Sequence, residues 1–412
     1  MNDQTLSERA QRAIAECRHI AQMSEEPGRI TRRFLTPPMH EVHKFLRSRM
    51  ESLGMTVHTD AAGNLRGLWQ PPDARGKRLV LGSHIDTVPD AGAFDGVLGV
   101  ALALEWTRLA QELKLPLPIE MIAFSEEEGV RFGVPFLGSR AVAGRFGPAL
   151  LALKDADGVA VEQAIRSFGL DPGKIDDAAL DADALGFVEI HIEQGPVLES
   201  EGLSVAAVTA IVGQSRLTAE FRGHANHSGT TPMRLRRDAL AGAAEWISAV
   251  ESIALQSEGL IATVGKIDVS PNAANVIAGV ARVRLDVRHA DDASRKAAVE
   301  SILAQAYAIA EKRGLTLEIA RQMDQPAVPM DERLTAHLAD AIGAAGLPER
   351  LMTSGAGHDA MVMAARVPTT MLFLRSPGGL SHHPNETVRE EDVEATLNVG
   401  RRFLQRLAAE VG

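Results

Sequence analysis

The chain has 412 residues, of which 45% are apolar and 24% are charged. This length exceeds what one ordinary hydrophobic core serves, so we expect a globular protein of two domains. The formal net charge is −11 and no long basic run occurs, which argues against nucleic acid or an anionic membrane as the main partner.

Cys17 is the only cysteine, which excludes an intrachain disulfide and favours a reducing compartment. The first 22 residues alternate charged and apolar residues at helical spacing, and they lack the uninterrupted apolar stretch of a signal peptide. The strongest apolar run, from Val97 to Leu104, is far too short to cross a bilayer. We therefore expect a soluble, cytoplasmic protein.

Four β-rich runs end in, or just before, clusters of His, Asp or Glu. In chain order they are Leu79–Leu81 before GSHID, Ile119–Phe124 before SEEEG, Phe187–Ile192 with HIEQG, and Thr369–Leu374 before RSPGGLSHHP. Their alternation with helix-like segments predicts an α/β fold with a mostly parallel central sheet. Because ligand sites in such sheets lie beyond the carboxyl ends of the strands, we expect the four clusters to form one site.

A different pattern occupies the segment from about 213 to 327. It contains predicted strands and amphipathic helices in the order strand–helix–strand–strand–helix–strand, which is typical of a ferredoxin-like α+β module. Five of these six elements are identified as the segments Leu217–Phe221, Asp238–Val250, Ile261–Ile267, Ala281–Val287 and Ser294–Glu311. We predict a discontinuous catalytic domain of residues 1–212 and 328–412, interrupted by an inserted domain of residues 213–327.

The segment GSHIDTVPDAGAFDG offers the first candidate ligands. His84 and Asp86 follow a strand two residues apart, and a metal-binding imidazole usually has its second nitrogen held by a carboxylate or carbonyl, a role open to Asp86. Asp95 lies in a glycine-flanked loop, where a carboxylate can offer one oxygen to each of two metals. The alternative is an ordinary turn with an Asx-type hydrogen bond.

Three adjacent glutamates, Glu126, Glu127 and Glu128, follow the second strand. Such a run is often the solvated start of a helix, favoured by the helix dipole. At the catalytic edge of a sheet, however, crowded carboxylates repel one another, so one stays protonated unless a cation compensates. A divalent metal is the simplest compensation.

The remaining candidates are histidines. His191 shares a strand face with Glu189 and Glu193, and His382 is adjacent to His383. A lone strand histidine is more often a satisfied core or surface residue than a ligand, and adjacent histidines cannot easily both face one site. Together, however, the four clusters supply three histidines, an aspartate and a glutamate, which match two divalent ions bridged by one carboxylate.

These motifs, together with GHANHSGTTPM in the inserted segment, resemble the hydantoinase/carbamoylase branch of the M20 metallopeptidase-like amidohydrolases, in order and over essentially the whole chain. The branch contains N-carbamoyl-L-amino acid hydrolases, β-ureidopropionases and allantoate amidohydrolases. The details that look most like allantoate amidohydrolases are Asp90-Ala91-Gly92, Gly129 to Phe132 followed by Leu137 to Arg140, and Gly378-Gly379.

The resemblance implies hydrolysis of a ureido C–N bond, with allantoate as the expected substrate in purine degradation. The nearest alternative is an N-carbamoyl-L-amino acid hydrolase, which uses the same metals and base. An aminoacylase or peptidase of the wider M20 group is a further alternative. A non-catalytic binding protein on a degenerate scaffold is disfavoured, because the base is retained along with every ligand.

The resemblance also implies a role for each matching residue. The implied metal ligands are His84, Asp95, Glu128, His191 and His382. Asp95 bridges two ions, Glu127 is the general base, Asp86 belongs to the catalytic set, and Glu126 is a flanking residue. The serine-histidine-x-proline pattern selects His382 over His383. Manganese is favoured, while zinc, cobalt and nickel also suit these ligands. Two such ions lower the pKa of a shared water to about 7 and polarise the scissile carbonyl.

Substrate contacts are implied at four positions: Gln194, His227, Asn275 and Arg288. His227 would stabilise the tetrahedral oxyanion from the partner subunit, which implies a homodimer that closes over the substrate. Arg288 would hold the carboxylate of a small ureido substrate through a bidentate contact. The alternative for Arg288 is a surface ion pair with Asp286. His358 and Asp359 are interpreted as supporting structure.

Overall fold

The structure is a computed structural model that describes residues 5–411. Its α-helices are α1 (Leu6–Ala21), α2 (Pro37–Ser52), α3 (Val97–Glu112), α4 (Leu137–Val142), α5 (Pro148–Leu151), α6 (Val161–Ser167), α7 (Val197–Glu201), α8 (Ala239–Leu255), α9 (Asp292–Arg313), α10 (Glu332–Ala344), α11 (Asp359–Met363) and α12 (Glu390–Val411). Short 3-10 helices span Pro172–Ala178, Met233–Leu235 and Pro377–Gly379. None of the helices between residues 5 and 411 combines the length and apolar character that a membrane crossing requires.

The strands form two sheets. They are β1 (Thr56–Thr59), β2 (Leu65–Trp69), β3 (Leu79–His84), β4 (Ile119–Phe124), β5 (Gly186–Ile192), β6 (Val205–Ile211), β7 (Gly213–Arg222), β8 (Ile261–Ser270), β9 (Val280–His289), β10 (Thr316–Gln325), β11 (Val328–Pro329), β12 (Leu351–Ser354) and β13 (Thr369–Leu374).

The first sheet has four parallel strands at its centre, in the order β4-β3-β5-β13. Antiparallel strands flank them, with β2 and β1 beyond β4 and with β6 beyond β13. The central strands are buried along their whole length, as parallel strands covered on both faces require. The predicted α/β class is confirmed. The parallel pairing is confined to the four central strands, because the flanking strands pair antiparallel.

Helix α3 packs on β3 and β5, directly behind the strand that ends at His84. A Cβ atom at Gly99 would lie 2.1 Å from the carbonyl oxygen of Ile190 and 2.7 Å from the Cβ of Ser83. Gly96, before the first turn, has φ 66°, and a Cβ there would lie 2.4 Å from Nε2 of His84. The two glycines therefore let the helix approach a ligand-bearing strand more closely than any side chain would allow.

Contacts between residues divide the chain into two compact units. The first comprises the described residues up to Thr209 and those from Met330 onward, and the second comprises Ala210–Pro329. Each unit has a hydrophobic core cluster of its own.

In the second unit the strand order is β10-β7-β9-β8, with every neighbouring pair antiparallel. The elements follow the chain as β7-α8-β8-β9-α9-β10, so the predicted ferredoxin-like module is confirmed. Trp246 on α8 is fully buried and donates its indole N–H to the carbonyl of Ile302 on α9 at 2.9 Å. This bond joins the two helices that cover one face of the sheet.

The close approach of α3 gives a test of the fold. Alanine normally stabilises a helix relative to glycine by up to about 1 kcal/mol, but at position 99 the added methyl group meets backbone and strand atoms. Gly99→Ala should therefore destabilise the protein by about 1–3 kcal/mol in urea unfolding. Gly343→Ala in α10 is the matched control, because its nearest neighbour is the exposed, flexible end of Glu349. Equal stability of the two variants would contradict the packing at Gly99.

Candidate metal centre

The carboxyl ends of the central strands bring polar side chains together. His84 is the last residue of β3, the three glutamates follow β4, and His191 is the next-to-last residue of β5. Four groups of potential ligand atoms each lie within 4.8 Å of one another: His84, Asp95 and His191; His84, Glu127 and Glu128; Asp95, Glu128 and His382; and Glu189, His191 and His358. The five predicted ligands and the predicted base thus lie in one cluster.

The first group has the dimensions of one face of a metal coordination shell. Nε2 of His84 lies 3.4 Å from Nε2 of His191 and 3.4 Å from Oδ1 of Asp95. Nε2 of His191 lies 3.2 Å from the same oxygen. Two ligands about 2.1 Å from one tetrahedral ion are about 3.4 Å apart, so a single ion fits all three atoms.

The outer ring nitrogens show why a cation suits this face. Nδ1 of His84 lies 3.0 Å from the carbonyl oxygen of Asp86, and Nδ1 of His191 lies 2.9 Å from that of Ile192. A carbonyl fixes the proton on Nδ1, which leaves a lone pair on each Nε2. Oδ1 of Asp95, which lies 3.2–3.4 Å from both Nε2 atoms, is buried and makes no hydrogen bond. Three buried acceptors this close together match the donor set of a divalent metal.

The second oxygen of Asp95 faces a different set of groups. Oδ2 lies 3.3 Å from Nε2 of His382, and that nitrogen lies 3.4 Å from Oε1 of Glu128. Oδ2 also accepts hydrogen bonds from Ser381 Oγ at 2.8 Å and from Gln194 Nε2 at 2.9 Å. Asp95 therefore presents one oxygen to each of two groups of candidate ligands, as a bridging carboxylate must.

The backbone is left-handed at Gln194, with φ 58°, and at His382, with φ 56°. This conformation is unfavourable for residues that carry a Cβ, and it tends to persist at functional sites where the surroundings enforce it. At Gln194 the enforcing contact is the backbone N–H, which donates to Ser376 Oγ at 3.0 Å. Both strained residues place their side chains against Asp95.

Asp86 lies beside His84, and its backbone carbonyl oxygen is 3.0 Å from Nδ1 of His84. Its carboxylate lies 3.4 Å from Nδ1 of His84, which is farther away than its own carbonyl oxygen. The two carboxylate oxygens instead accept the backbone N–H groups of Glu127 at 2.9 Å and Glu128 at 3.1 Å. Asp86 therefore connects the loop after β3 to the glutamate loop after β4.

The side chains of the three glutamates have different partners. Glu126 folds back so that Oε1 accepts the N–H of Gly129 at 2.5 Å, and it does not join the ligand groups. Burial raises the pKa of Glu127 well above its ordinary value, with Glu128 and Asp359 adding to the shift and His84 opposing it. Burial likewise raises the pKa of Glu128 to about 7. The carboxylates are thus held where only added positive charge favours their ionised forms.

The histidines respond in the opposite direction. Burial alone would lower the pKa of His84, but Asp86 and Asp95 outweigh it and raise that pKa well above its ordinary value. Burial would raise the pKa of Asp95, yet His191, His382 and His84 hold it well below its ordinary value. Both shifts mean that the cluster attracts positive charge, whether as protons or as a metal.

Two residues at this site were missed in the sequence. Ser381 contacts Asp95 directly, and Glu386 accepts backbone N–H groups from the loop that carries Asp95. Their only sequence signal is proximity to His382, one residue before and four residues after it. His358 and Asp359, interpreted as supporting structure, are both buried, and the ring of His358 packs edge-on against His191 with centroids 4.5 Å apart.

The other predicted site residues lie in the second unit. His227 is exposed in the loop after β7 and bridges to Val276, directly after Asn275. Arg288 lies near the opposite end of β9, where its Nε is 2.8 Å from Oδ1 of Asp286. The ion pair that was the alternative reading of Arg288 is therefore formed, and it holds the guanidinium on the polar face of the strand.

Comparisons with known proteins show which family this chain is similar to. Residues 80–406 match peptidase family M20/M25/M40. The chain is 37% identical to an allantoate deiminase of Arabidopsis thaliana over 95% of this chain and 81% of the relative. It is 35% identical to an N-carbamoyl-L-amino-acid amidohydrolase of Paenarthrobacter aurescens over 97% of this chain and 98% of that one. It is also similar to the crystal structure of an amidase of the hydantoinase/carbamoylase family from Burkholderia multivorans, with TM-score 0.90, 32% identity, and coverage of 96% of this chain and 97% of that one.

The adjacent histidines His382 and His383 provide a matched test of metal binding. We expect the chelator-treated full-length protein to take up two Mn²⁺ ions per chain in isothermal titration calorimetry. His382→Ala should weaken the binding of one of the two ions, because Nε2 of His382 faces Asp95 and Glu128. His383→Ala should keep both ions, since Nδ1 of His383 accepts the nearby N–H of Asn385 and His383 belongs to none of the ligand groups among the described residues. Equal loss in both variants, or loss in neither, would contradict the cluster as a metal centre.

Proposed function

The chain belongs to peptidase family M20/M25/M40, and on that premise we propose that it is a dimetal amidohydrolase that hydrolyses allantoate. Water is added to the carbonyl of one ureido group, and the products are ureidoglycine, ammonia and carbon dioxide. The observation that carries the reaction class is the face formed by His84, His191 and Asp95, whose three acceptor atoms lie 3.2–3.4 Å apart. Allantoate as the substrate is supported by the 37% identity to an allantoate deiminase.

We assign the ligands in two sets that share Asp95: His84 and His191 on one side, Glu128 and His382 on the other. When bound, two divalent ions at such a site act as Lewis acids that acidify the attacking water and polarise the scissile carbonyl. We favour manganese, with zinc as the alternative and cobalt or nickel compatible with the same donors. The unpartnered Oδ1 of Asp95 supports this assignment.

Glu127 acts as the general base in this proposal. It takes a proton from the attacking water and delivers it to the leaving nitrogen, a contribution of about 10²–10⁴ in rate. Its backbone is held by Asp86, so Asp86 serves catalysis by placing the base. Gln194, whose amide lies against Asp95, contacts the substrate from the same side.

The remaining substrate contacts come from His227, Asn275 and Arg288. His227 stabilises the oxygen of the tetrahedral intermediate, and Arg288 binds the substrate carboxylate. In the strand register Arg222 pairs with Val280, and Gln214 pairs with Arg288. From Val280 to Arg288 the strand rises by about 27 Å, and His227 and Asn275 lie beyond its Val280 end.

This separation supports a shared active site. A small ureido carboxylate cannot span the distance between the two ends of β9 in one unit. We therefore propose a homodimer in which Arg288 serves its own subunit's site while His227 of the partner subunit completes it. In this arrangement residues 213–327 form the dimerisation and lid domain, and residues 1–212 and 328–412 form the catalytic domain. The single, buried Cys17 is compatible with a reducing, cytoplasmic location.

An N-carbamoyl-L-amino acid hydrolase is the second candidate function, supported by 35% identity over 97% of the chain. It would use the same ions and the same base, and it would differ in the group next to the substrate's α-carbon. An aminoacylase or peptidase activity has less support, because the two relatives compared by sequence are an allantoate deiminase and an N-carbamoyl-L-amino-acid amidohydrolase.

Ammonia release by the Mn²⁺-loaded protein distinguishes these candidates. We expect a higher kcat/KM for allantoate than for any member of a panel of N-carbamoyl-L-amino acids. Glu127→Gln is the control: it should bind Mn²⁺ as the wild type does and lose about 10²–10⁴ in kcat. A preference for a carbamoyl amino acid would overturn the assignment of allantoate as the substrate and would leave the proposed mechanism intact. Wild-type turnover by Glu127→Gln would show that Glu127 is not the general base.

Complementation tests the shared site. His227→Ala and Arg288→Ala should each be nearly inactive alone. In a mixed dimer one site receives both mutations and the other receives none. Because half of randomly assembled dimers are mixed, co-expression should restore about a quarter of wild-type activity. Absence of any recovery, with mixed dimers verified by two affinity tags, would place both residues in a site formed by one chain.

A further inference from the structure

A buried carboxylate outside the ligand set connects the two loops that carry Asp95 and His382. Glu386 follows His382 by four residues and is only 6% exposed. Its Oε1 accepts the backbone N–H of Phe94 at 2.9 Å and that of Asp95 at 3.0 Å. One oxygen thus holds two consecutive N–H groups of a loop that is more than 280 residues away in the sequence.

These two bonds fix the part of the loop that matters for the site. On either side, the loop is held by other backbone contacts: Ala91 N–H donates to Ile30 O at 2.8 Å, and Leu98 N–H donates to Phe94 O at 2.9 Å as α3 begins. Between them, the amide groups of Phe94 and Asp95 are oriented by Glu386. Without that acceptor, two buried N–H groups would lose their partners, and the loop would move to regain them.

Gly92 shows how closely the carboxylate fits. A Cβ atom at position 92 would lie 2.3 Å from Cβ of Glu386 and 2.5 Å from its Oε1. The backbone at Gly92 does not require a left-handed conformation. Glycine is therefore needed here for space, because any side chain would displace Glu386 from the two amide groups.

We propose that Glu386 is a positioning residue that sets the place of Asp95 relative to His382 and thereby tunes metal affinity. The role rests on the proposed function, in which Asp95 would be the ligand shared by the two ions. Partners that orient metal ligands typically contribute about 10–100-fold to metal affinity. The role requires an oxygen acceptor at the right distance and does not require a negative charge.

This distinction defines the variants. Glu386→Gln keeps the chain length and one oxygen, so it should bind Mn²⁺ nearly as well as the wild type. Glu386→Ala removes the acceptor and should weaken Mn²⁺ binding by about 10–100-fold. Gly92→Ala leaves Glu386 unmutated, but the added methyl group pushes its carboxylate away from the two amide groups. This variant should therefore weaken Mn²⁺ binding in the same range. Mn²⁺ affinity of the chelator-treated full-length protein is measured by calorimetry.

Asp155 offers the matched control for a purely structural effect. Its Oδ1 also accepts two backbone N–H groups of a loop, those of Asp157 at 3.1 Å and Val159 at 2.9 Å, and its side chain is 8% exposed. Asp155→Ala should lower the thermal midpoint of the metal-free protein and leave Mn²⁺ affinity unchanged. Glu386→Ala should lower the affinity even when its metal-free thermal midpoint matches that of Asp155→Ala.

The outcomes separate the positioning role from the function on which it rests. Wild-type Mn²⁺ affinity in both Glu386→Ala and Gly92→Ala would overturn the positioning role. Equal weakening by Glu386→Gln and Glu386→Ala would also overturn it, because charge would then be the requirement. Asp95→Ala is measured in parallel. If Asp95→Ala retained both ions, the bridging assignment itself would fail, whatever Glu386 does.

Discussion

Three hydrogen-bond acceptors lie within 3.2–3.4 Å of one another in a buried cluster, and the surrounding elements of the first unit hold them there. Nε2 of His84, Nε2 of His191 and Oδ1 of Asp95 would repel one another without positive charge between them. Their positions come from elements that cannot shift separately, because β3 and β5 are paired neighbours and α3 packs on both. The small residues at 96 and 99 are part of the same constraint, since they leave no space between the helix and the strand ends.

The carboxylates around this point divide into groups that face the cluster and groups that hold backbone. Asp95 and Glu128 face it, whereas Asp86, Glu126 and Glu386 accept N–H groups of the loops that carry the others. A buried acid that accepts backbone N–H groups meets part of its desolvation penalty locally. The remaining negative charge is concentrated where a cation can compensate it. Carboxylates thus serve as candidate metal ligands or as acceptors for backbone N–H groups, and the hydrogen-bond partners of each one show which role it has.

The sequence predicts this site well where a local pattern carries the information. Buried strands that end in His or Glu place those residues at one sheet edge, and the strand–helix order of 213–327 identifies the second module. Ser381 and Glu386 could not be assigned in this way, because their partners lie in the loop around Asp95, which is distant in the sequence. Asp86 lies beside His84, as its spacing indicates, but no local pattern indicates that its carboxylate also accepts the N–H groups of Glu127 and Glu128. The antiparallel strands at the edges of the sheet were not predicted, because they lack the polar clusters that mark the ends of the central strands.

The candidate ligands are drawn from positions 84 to 382, and this spread has a consequence for how the protein matures. Contacts between such distant positions form slowly, because long loops must close before the contacts can stabilise anything. During synthesis, no segment that has emerged before His382 carries the complete set. The complete centre is therefore a late product of folding, and an ion that occupies it stabilises the finished structure in preference to earlier intermediates. The supply of metal at that stage would act on the yield of mature protein as well as on its activity.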